Sequence, residues 1–197
     1  MPEAPRIRSF IAIDLAEPVR AAIGALQHEL AGAKADVRWM RAEGMHVTLK
    51  FLGAVDAPRL DAIHAAVESA LQNQPALHVR ARGVGAFPSL RRPRVLWVGL
   101  QAEGLVELAA RVDAAVTPLG FESERRPFTP HVTVGRVNSL RGWASLETQF
   151  TAHLDDAFGG SDIDAVTIYR STLRPAGSVY TPLWTMPLRT PSHDGDA

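Results

Sequence analysis

Cysteine is absent from this chain of 197 residues. Disulfide bonds, thiol nucleophiles and cysteine-ligated zinc sites are therefore excluded. A protein without disulfides is compatible with a reducing compartment, and we expect a cytoplasmic location. The sequence also has neither a G-x-G-x-x-G stretch nor a P-loop, so it lacks the common glycine-rich loops that bind nucleotide phosphates.

An excess of charge of either sign is also missing, because 21 basic residues are matched by 21 acidic residues. A protein that coats long nucleic acids needs a broad basic surface, and this balance argues against one. A protein that binds a single RNA end remains compatible with it. No apolar run approaches the ~20 residues of a membrane span, and the N-terminus lacks a signal-peptide segment. We therefore expect no membrane association and a monomer.

Hydrophobic periodicity predicts helices separated by extended segments, without a strict alternation of the two. This arrangement favours an α+β fold with antiparallel sheets over a doubly wound parallel sheet. We expect one domain over residues 1–190 and a flexible tail over residues 191–197. Gly53 is predicted to end the strand that begins near Met45, and Asp56 to cap the following helix. Helices are predicted near residues 17–30, 57–71, 103–119 and 143–150, and strands near 7–15, 37–40, 45–52, 77–87, 94–100, 131–137, 163–173 and 179–188.

A four-residue motif occurs twice in the sequence. The chain reads His46-Val47-Thr48-Leu49 in its first half and His131-Val132-Thr133-Val134 in its second half. Residues two apart on a β-strand point to the same face, so each motif places an imidazole beside a hydroxyl. Either copy alone is as easily a structural strand whose polar side chains bond to neighbours. Two copies together favour a shared functional site.

Two histidines and two threonines can carry out acid–base chemistry on a phosphate. Neutral imidazole accepts a proton and imidazolium donates one, and both forms exist near neutral pH. In-line opening of a cyclic phosphodiester needs a base for the attacking water and an acid for the leaving oxygen. Thr48 and Thr133 would hold the non-bridging oxygens while charge develops there. If these donors suffice, no metal or cofactor is needed, and two histidines are too few for a catalytic zinc site.

These motifs and their context resemble the 2H phosphoesterase superfamily, and within it the LigT-like (ThpR) RNA 2′,3′-cyclic phosphodiesterases. The resemblance covers nearly the whole chain in order, from about Arg6 to Leu188. It implies a two-lobed fold with pseudo-twofold symmetry, antiparallel sheets facing a central cleft and helices outside. The stretches that carry it are Arg8–Asp14, His46–Gly53, Arg92–Trp97, Arg126–Arg136, Ser171–Arg174 and Tyr180–Leu183.

The resemblance further implies hydrolysis of an RNA-terminal 2′,3′-cyclic phosphate to a 2′-phosphate. In that family the histidine of the first motif is usually the proton donor, here His46, and that of the second the proton acceptor, here His131. The two motifs are nearly identical, so the sequence alone does not assign these roles. Arg136 resembles a phosphate-binding position, and Phe51 resembles a residue that stacks on a base.

Arg136 presents a geometric problem, because strict alternation places it on the face opposite to His131 and Thr133. Glycine within a strand often marks a β-bulge, so we predict a bulge at Gly135 that turns Arg136 toward the cleft. Lys50 shares the parity of His46 and would line the cleft or lie on its rim. The remaining candidates for a basic rim, with solvated loops as the equal alternative, are Arg91, Arg92, Arg125 and Arg126.

Other functions remain open from the residues. One is a 2H-type enzyme that acts on a small cyclic nucleotide or on an ADP-ribose cyclic phosphate. Another is an RNA-end binding module without turnover, although binding alone does not require two histidines. A third is 2′-5′ ligation of RNA fragments, which is the reverse phosphotransfer at the same site.

Overall fold

The computed structural model describes residues 5–174 and 177–189, and the predicted tail over residues 191–197 lies outside them. Within these residues the chain forms two antiparallel sheets and four α-helices. The helices are α1 (Glu17–Ala31), α2 (Leu60–Leu71), α3 (Leu105–Val116) and α4 (Trp143–Thr151). The strands are β1 (Arg6–Asp14), β2 (Val37–Trp39), β3 (His46–Asp56), β4 (Leu77–Phe87), β5 (Val95–Gln101), β6 (His131–Val137), β7 (Ala157–Ile163), β8 (Ala165–Arg174) and β9 (Gly177–Pro187).

The first sheet has the strand order β3-β1-β8-β9, and the second has the order β2-β6-β5-β4-β7. Apart from the extra edge strand β2, the two orders correspond strand for strand. β3 and β6, which carry the two His-x-Thr motifs, therefore occupy equivalent places, and so do β1 and β5. This confirms the α+β class with antiparallel sheets and the approximate twofold repeat.

Each helix covers the outer face of a sheet with an apolar stripe. α2 and α3 pack against the first sheet, while α1 and α4 pack against the second. α1 begins with Pro18 in its first turn and buries Val19, Ile23 and Leu30, as its periodicity predicts. Buried residues of both sheets and all four helices form one continuous core. The opposite faces of the sheets are left to line a cleft.

The structure corrects two details at the end of β3. Gly53 does not end the strand, because β3 continues to Asp56 through a shift in its pairing with β1 beside Gly53, whose φ is +72°. Glycine tolerates this left-handed conformation, so the strand bends and goes on. Asp56 does not cap a helix with its side chain but forms an ion pair with Arg6 at 3.4 Å.

Sequence reasoning missed β7 altogether. Its sequence, AFGGSDI, contains two glycines and few β-branched residues, so its own β-propensity is low. The strand exists because it pairs with the edge of β4, and its glycines fit close contacts there. A Cβ on Gly160 would lie 2.7 Å from Nε2 of His78 on β4.

Candidate active site

The two sheets enclose a cleft of about 1000 Å³. His46, Thr48 and Phe51 reach it from β3, and His131, Thr133 and Arg136 reach it from β6. All six residues predicted from the sequence as catalytic, phosphate-binding or base-stacking therefore line one cavity. The two motifs lie on opposite walls because β3 belongs to the first sheet and β6 to the second.

Both imidazole rings are held in the same way. Nδ1 of His46 donates a hydrogen bond to the Gly44 carbonyl at 2.9 Å, and Nδ1 of His131 donates to the Thr129 carbonyl at 2.7 Å. A carbonyl oxygen can only accept, so in each neutral ring the proton is on Nδ1. Nε2 is then the nitrogen that is free to take or give a proton.

Burial lowers the pKa of both histidines. Desolvation is the main cause in each case, and the hydrogen bond to the preceding carbonyl opposes it. For His46 the nearby Asp14 carboxylate also opposes the decrease, while the imidazole of His131 adds to it. Both rings line the same cleft.

Aromatic rings restrict each histidine. His46 stacks on Phe10 with ring centroids 4.6 Å apart and meets Tyr180 edge-on at 5.0 Å. His131 meets Phe87 edge-on at 4.9 Å. These contacts, together with the Nδ1 hydrogen bonds, fix both ring planes before any ligand binds, which is the preorganisation that proton transfer requires.

Asp14 distinguishes the two otherwise similar histidines. It is the pairing partner of His46 across β1 and β3, whereas Gly99 holds the equivalent position opposite His131. The Tyr169 hydroxyl donates to Oδ2 of Asp14 at 2.6 Å. Burial and this bond to the carboxylate raise the pKa of Tyr169 well above its ordinary value, so the phenol stays a donor. Sequence reasoning did not single out Asp14 or Tyr169, because only the strand pairing brings them to His46.

The predicted bulge in β6 is present. Thr133 pairs with Trp97 and Gly135 with Leu96, so Val134 is an extra residue and the alternation shifts by one. Arg136 therefore lines the same cleft as His131 and Thr133. Glycine is needed there for space, since a Cβ on Gly135 would lie 2.8 Å from Cγ1 of Val37 on the neighbouring edge strand β2.

An equivalent bulge occurs in β3, and it makes the parity argument for Lys50 wrong. Thr48 pairs with Ala12 and Lys50 with Ile11, so Leu49 is the extra residue. Lys50 turns away from the cleft, and its side chain is only 8% exposed. Its ammonium group binds the Asp113 carboxylate and the Glu122 carbonyl. The residue that then reaches the cleft is Phe51, which is 64% exposed.

The arginines at the cleft differ from those proposed as a rim. Among the described residues that line it are Arg8, Arg38, Arg41 and Arg174, in addition to Arg136. The arginines predicted as candidates for a basic rim do not line the cleft; they are Arg91, Arg92, Arg125 and Arg126. Two of them, Arg125 and Arg126 in the loop that precedes β6, border a separate smaller pocket beside Lys50. Charge count alone did not distinguish these groups, because the distinction depends on which loops and strands face the cleft.

The assembled groups suit proton transfer at an anionic centre. Two imidazoles with free Nε2 atoms supply an acid and a base, and the Thr48 and Thr133 hydroxyls and the Arg136 guanidinium supply donors for oxygen anions. No group of three or more His, Asp, Glu or Cys side chains placed to hold a metal ion occurs within residues 5–174 and 177–189.

Comparison with known sequences agrees with this repeated geometry. A family model described as "LigT like Phosphoesterase" matches the chain twice, over residues 13–97 and 98–180. The chain belongs to the LigT-like phosphoesterases. Each of the two matched halves carries one His-x-Thr motif, as the strand-for-strand correspondence of the two sheets requires.

Curated LigT-like relatives align with most of the chain. A protein of Methanothermobacter thermautotrophicus named RNA 2′,3′-cyclic phosphodiesterase is 34% identical over 177 residues, which are 89% of this chain and 96% of that protein. A Thermotoga maritima protein of the same name is 31% identical and covers 90% of this chain and 94% of its own length.

Solved structures share the architecture. A Thermus thermophilus protein superposes with a TM-score of 0.80 at 29% identity, covering 93% of this chain and 99% of its own. Escherichia coli LigT in complex with 3′-AMP superposes with a TM-score of 0.72 at 27% identity, covering 93% of this chain and 98% of its own. These neighbours confirm the 2H phosphoesterase fold expected from the resemblance. None of the helices in the described residues is long and apolar enough to cross a membrane.

Proposed function

We propose that this LigT-like phosphoesterase hydrolyses a 2′,3′-cyclic phosphate at an RNA end to a 2′-phosphate. The observation that carries the proposal is the pair of histidines, each with a free Nε2, on opposite walls of one cleft. In-line displacement at phosphorus needs a base on one side and an acid on the other. The curated relatives named RNA 2′,3′-cyclic phosphodiesterase support the same activity.

In the proposed reaction His131 acts first as the base. Neutral Nε2 of His131 takes a proton from a water molecule as the water oxygen bonds to phosphorus. The bond from phosphorus to the 3′ oxygen breaks, and protonated Nε2 of His46 gives its proton to that oxygen. The product is a 3′-hydroxyl and a 2′-phosphate, and proton exchange with water restores both histidines. Thr48, Thr133 and Arg136 donate hydrogen bonds to the non-bridging oxygens as charge increases.

Asp14 supports the assignment of His46 as the acid. A carboxylate near an imidazole favours the protonated ring, and Asp14 raises the proton affinity of His46 in this way. His131 has Gly99 as its pairing partner and receives no such carboxylate. Asp14 therefore favours the protonated form of His46, which a general acid needs, whereas no carboxylate favours the protonated form of His131. Asp14 is a positioning residue in this scheme, since it acts through His46.

The proposed partner is a single-stranded RNA 3′ end, and both catalytic histidines, both threonines and Arg136 come from one chain. A second copy is not needed to complete the site, which supports a monomer as the active form. The net charge of zero agrees with a protein that binds RNA locally at the cleft rather than along its whole surface.

The decisive experiment is hydrolysis of an RNA oligonucleotide ending in a 2′,3′-cyclic phosphate, in the presence of EDTA. We expect the wild-type protein to form a 2′-phosphate product and both His46→Ala and His131→Ala to lose at least about 100-fold in rate, as general acid–base groups do. His28→Ala is the matched control, because His28 is exposed and lies outside the cleft.

Several outcomes would redirect the proposal. Turnover of cyclic mononucleotides or ADP-ribose cyclic phosphate without turnover of the oligonucleotide indicates a small-molecule 2H enzyme. Binding of the RNA end without turnover indicates a binding module. Joining of a cyclic-phosphate end to a 5′-hydroxyl end faster than hydrolysis indicates a ligase. Loss of activity in EDTA would contradict the two-histidine scheme.

A further inference from the structure

Four arginines line the cleft without a part in the proposed chemistry: Arg8, Arg38, Arg41 and Arg174. Glu43 is the only carboxylate among the described lining residues, so five arginines, including Arg136, face one acid. None of the five makes an ion pair within the part of the chain that the structure describes. A chain with no net charge thus places a strong positive potential in this cavity.

The wall formed by the first sheet, which also carries Arg8 and Arg174, presents exposed apolar side chains. Leu173 is 73% exposed, Phe51 64% and Val179 45%, and all three line the cleft. They are half of the six large hydrophobic side chains that are exposed in the described residues. Apolar side chains gathered at one concave surface mark a contact for a ligand. Nucleic-acid bases pack against apolar as well as aromatic side chains in binding pockets.

Of these apolar residues, Leu173 lies farthest along its strand from the contacts of His46. Tyr169 pairs with Phe10, which stacks on His46, and Leu173 follows four residues later on the same strand β8. At about 3.3 Å per residue Leu173 is some 13 Å farther along the sheet. That is several times the ~3.4 Å rise per nucleotide of a stacked strand. Leu173 therefore lies past the residues that contact His46, toward the end of β8.

On the side of the second sheet, two of the four arginines come from β2 and from the segment that follows it. Arg38 on β2 is the pairing partner of Arg136 on β6, and Arg41 follows three residues later. A guanidinium binds phosphate oxygens through two parallel hydrogen bonds. A cyclic mononucleotide has one phosphate, which Arg136 and the two threonines suffice to hold. Arg38 and Arg41 are then available to bind a second phosphate group.

We propose that the cleft binds at least one nucleotide on the 5′ side of the terminal cyclic phosphate. Its base packs on Leu173 and Val179, and its phosphodiester is bound by Arg38 and Arg41. This inference rests on the proposed function, since it extends the same substrate away from the histidines. It makes the preferred substrate an RNA strand end and a cyclic mononucleotide a poor one.

The test compares 2′,3′-cyclic mono-, di- and trinucleotides as substrates. For the wild type we expect kcat/KM to rise about tenfold or more from mono- to dinucleotide, mainly through KM, as expected for one added charged contact. Arg38→Ala/Arg41→Ala and Leu173→Ala/Val179→Ala should each lose at least about fivefold more on the dinucleotide than on the mononucleotide, again from the size of such contacts. Arg91→Ala/Arg92→Ala is the control, because both arginines are exposed and neither lines the cleft.

A binding measurement distinguishes a failure of this inference from a failure of the proposed function. Binding of the same three ligands to the double variant His46→Ala/His131→Ala is measured by fluorescence anisotropy at several salt concentrations. A dissociation constant that falls with length, with a steeper salt dependence for longer ligands, supports the subsite even if no ligand is hydrolysed. Equal kcat/KM and equal affinity across the three lengths would overturn the subsite while leaving the cyclic phosphodiesterase activity intact.

Discussion

Phe51 and Arg136 occupy equivalent positions in the two halves of the molecule. Each lies five residues after its motif histidine, His46 or His131, and each follows a β-bulge that inserts one residue into the strand. The same backbone device thus delivers an aromatic ring to one wall of the cleft and a guanidinium to the other. The repeat is symmetric in its backbone and asymmetric in its chemistry.

Arg136→Ala should reduce kcat/KM for a cyclic-phosphate oligonucleotide by about 10- to 100-fold, since a charged hydrogen bond to the phosphate is lost. Arg136→Lys retains the charge without the bidentate geometry and should recover only part of the activity. Steady-state kinetics on one oligonucleotide checks both. Wild-type kinetics in Arg136→Ala would place the phosphate elsewhere in the cleft.

The pH dependence of kcat/KM should be bell-shaped, because the base must be neutral and the acid protonated. Burial lowers the pKa of both histidines, so both limbs should lie on the acid side of their ordinary positions. Asp14→Asn removes a carboxylate that raises the pKa of His46. The basic limb, which reports loss of the proton from the acid, should therefore move to lower pH while the acid limb stays in place.

The same pH profile tests the assignment of His46 as the acid and of His131 as the base. Glu103→Gln is the control for removing a carboxylate, since Glu103 is exposed and lies outside the cleft. A shift of the acid limb in Asp14→Asn, with the basic limb unchanged, would make His46 the base. A single sigmoid would contradict the pairing of two histidines altogether.

Lys50 should matter for stability through its ion pair with Asp113. Lys50→Met leaves the Asp113 carboxylate without its cation in a mostly buried place, and we expect a loss of about 2–3 kcal/mol in the free energy of unfolding. In the double variant Lys50→Met/Asp113→Leu both charges are gone, so the loss should be smaller than the sum of the single losses. Urea unfolding with unchanged m-values measures this, and strictly additive losses would count against the pair.

Gly135→Ala tests why glycine follows the bulge in β6. The added methyl group would lie 2.8 Å from Cγ1 of Val37 and 3.1 Å from the Trp39 ring, so β2 must move. We expect a destabilisation of about 1–3 kcal/mol, as for overpacking in a filled core. Gly24→Ala is the control, because a Cβ there meets nothing within 4 Å. Equal thermal stability of the two variants would show that β2 accommodates the methyl group.

The local patterns in the sequence predicted most of the fold. The helical stripes and the strands with β-branched residues are where periodicity places them, because each must bury one apolar face. β7 was missed because its glycine-rich sequence has no apolar alternation of its own and becomes a strand only through pairing with β4. Lys50 was misplaced because a bulge in β3 reverses the parity from that residue onward.

By itself, the sequence predicted the groups of the site: two histidines and two threonines at spacings that share a strand face, and an arginine beside a glycine that indicates a bulge, in a chain without cysteine and without net charge. The tertiary structure alone decided which groups surround them. Asp14 lies beside His46 because β1 pairs with β3 in one particular register, and Arg38 lies beside Arg136 because β2 adds to the edge of β6. Strand pairing joins residues far apart in the chain, so the residues that meet across a sheet do not show in a local pattern.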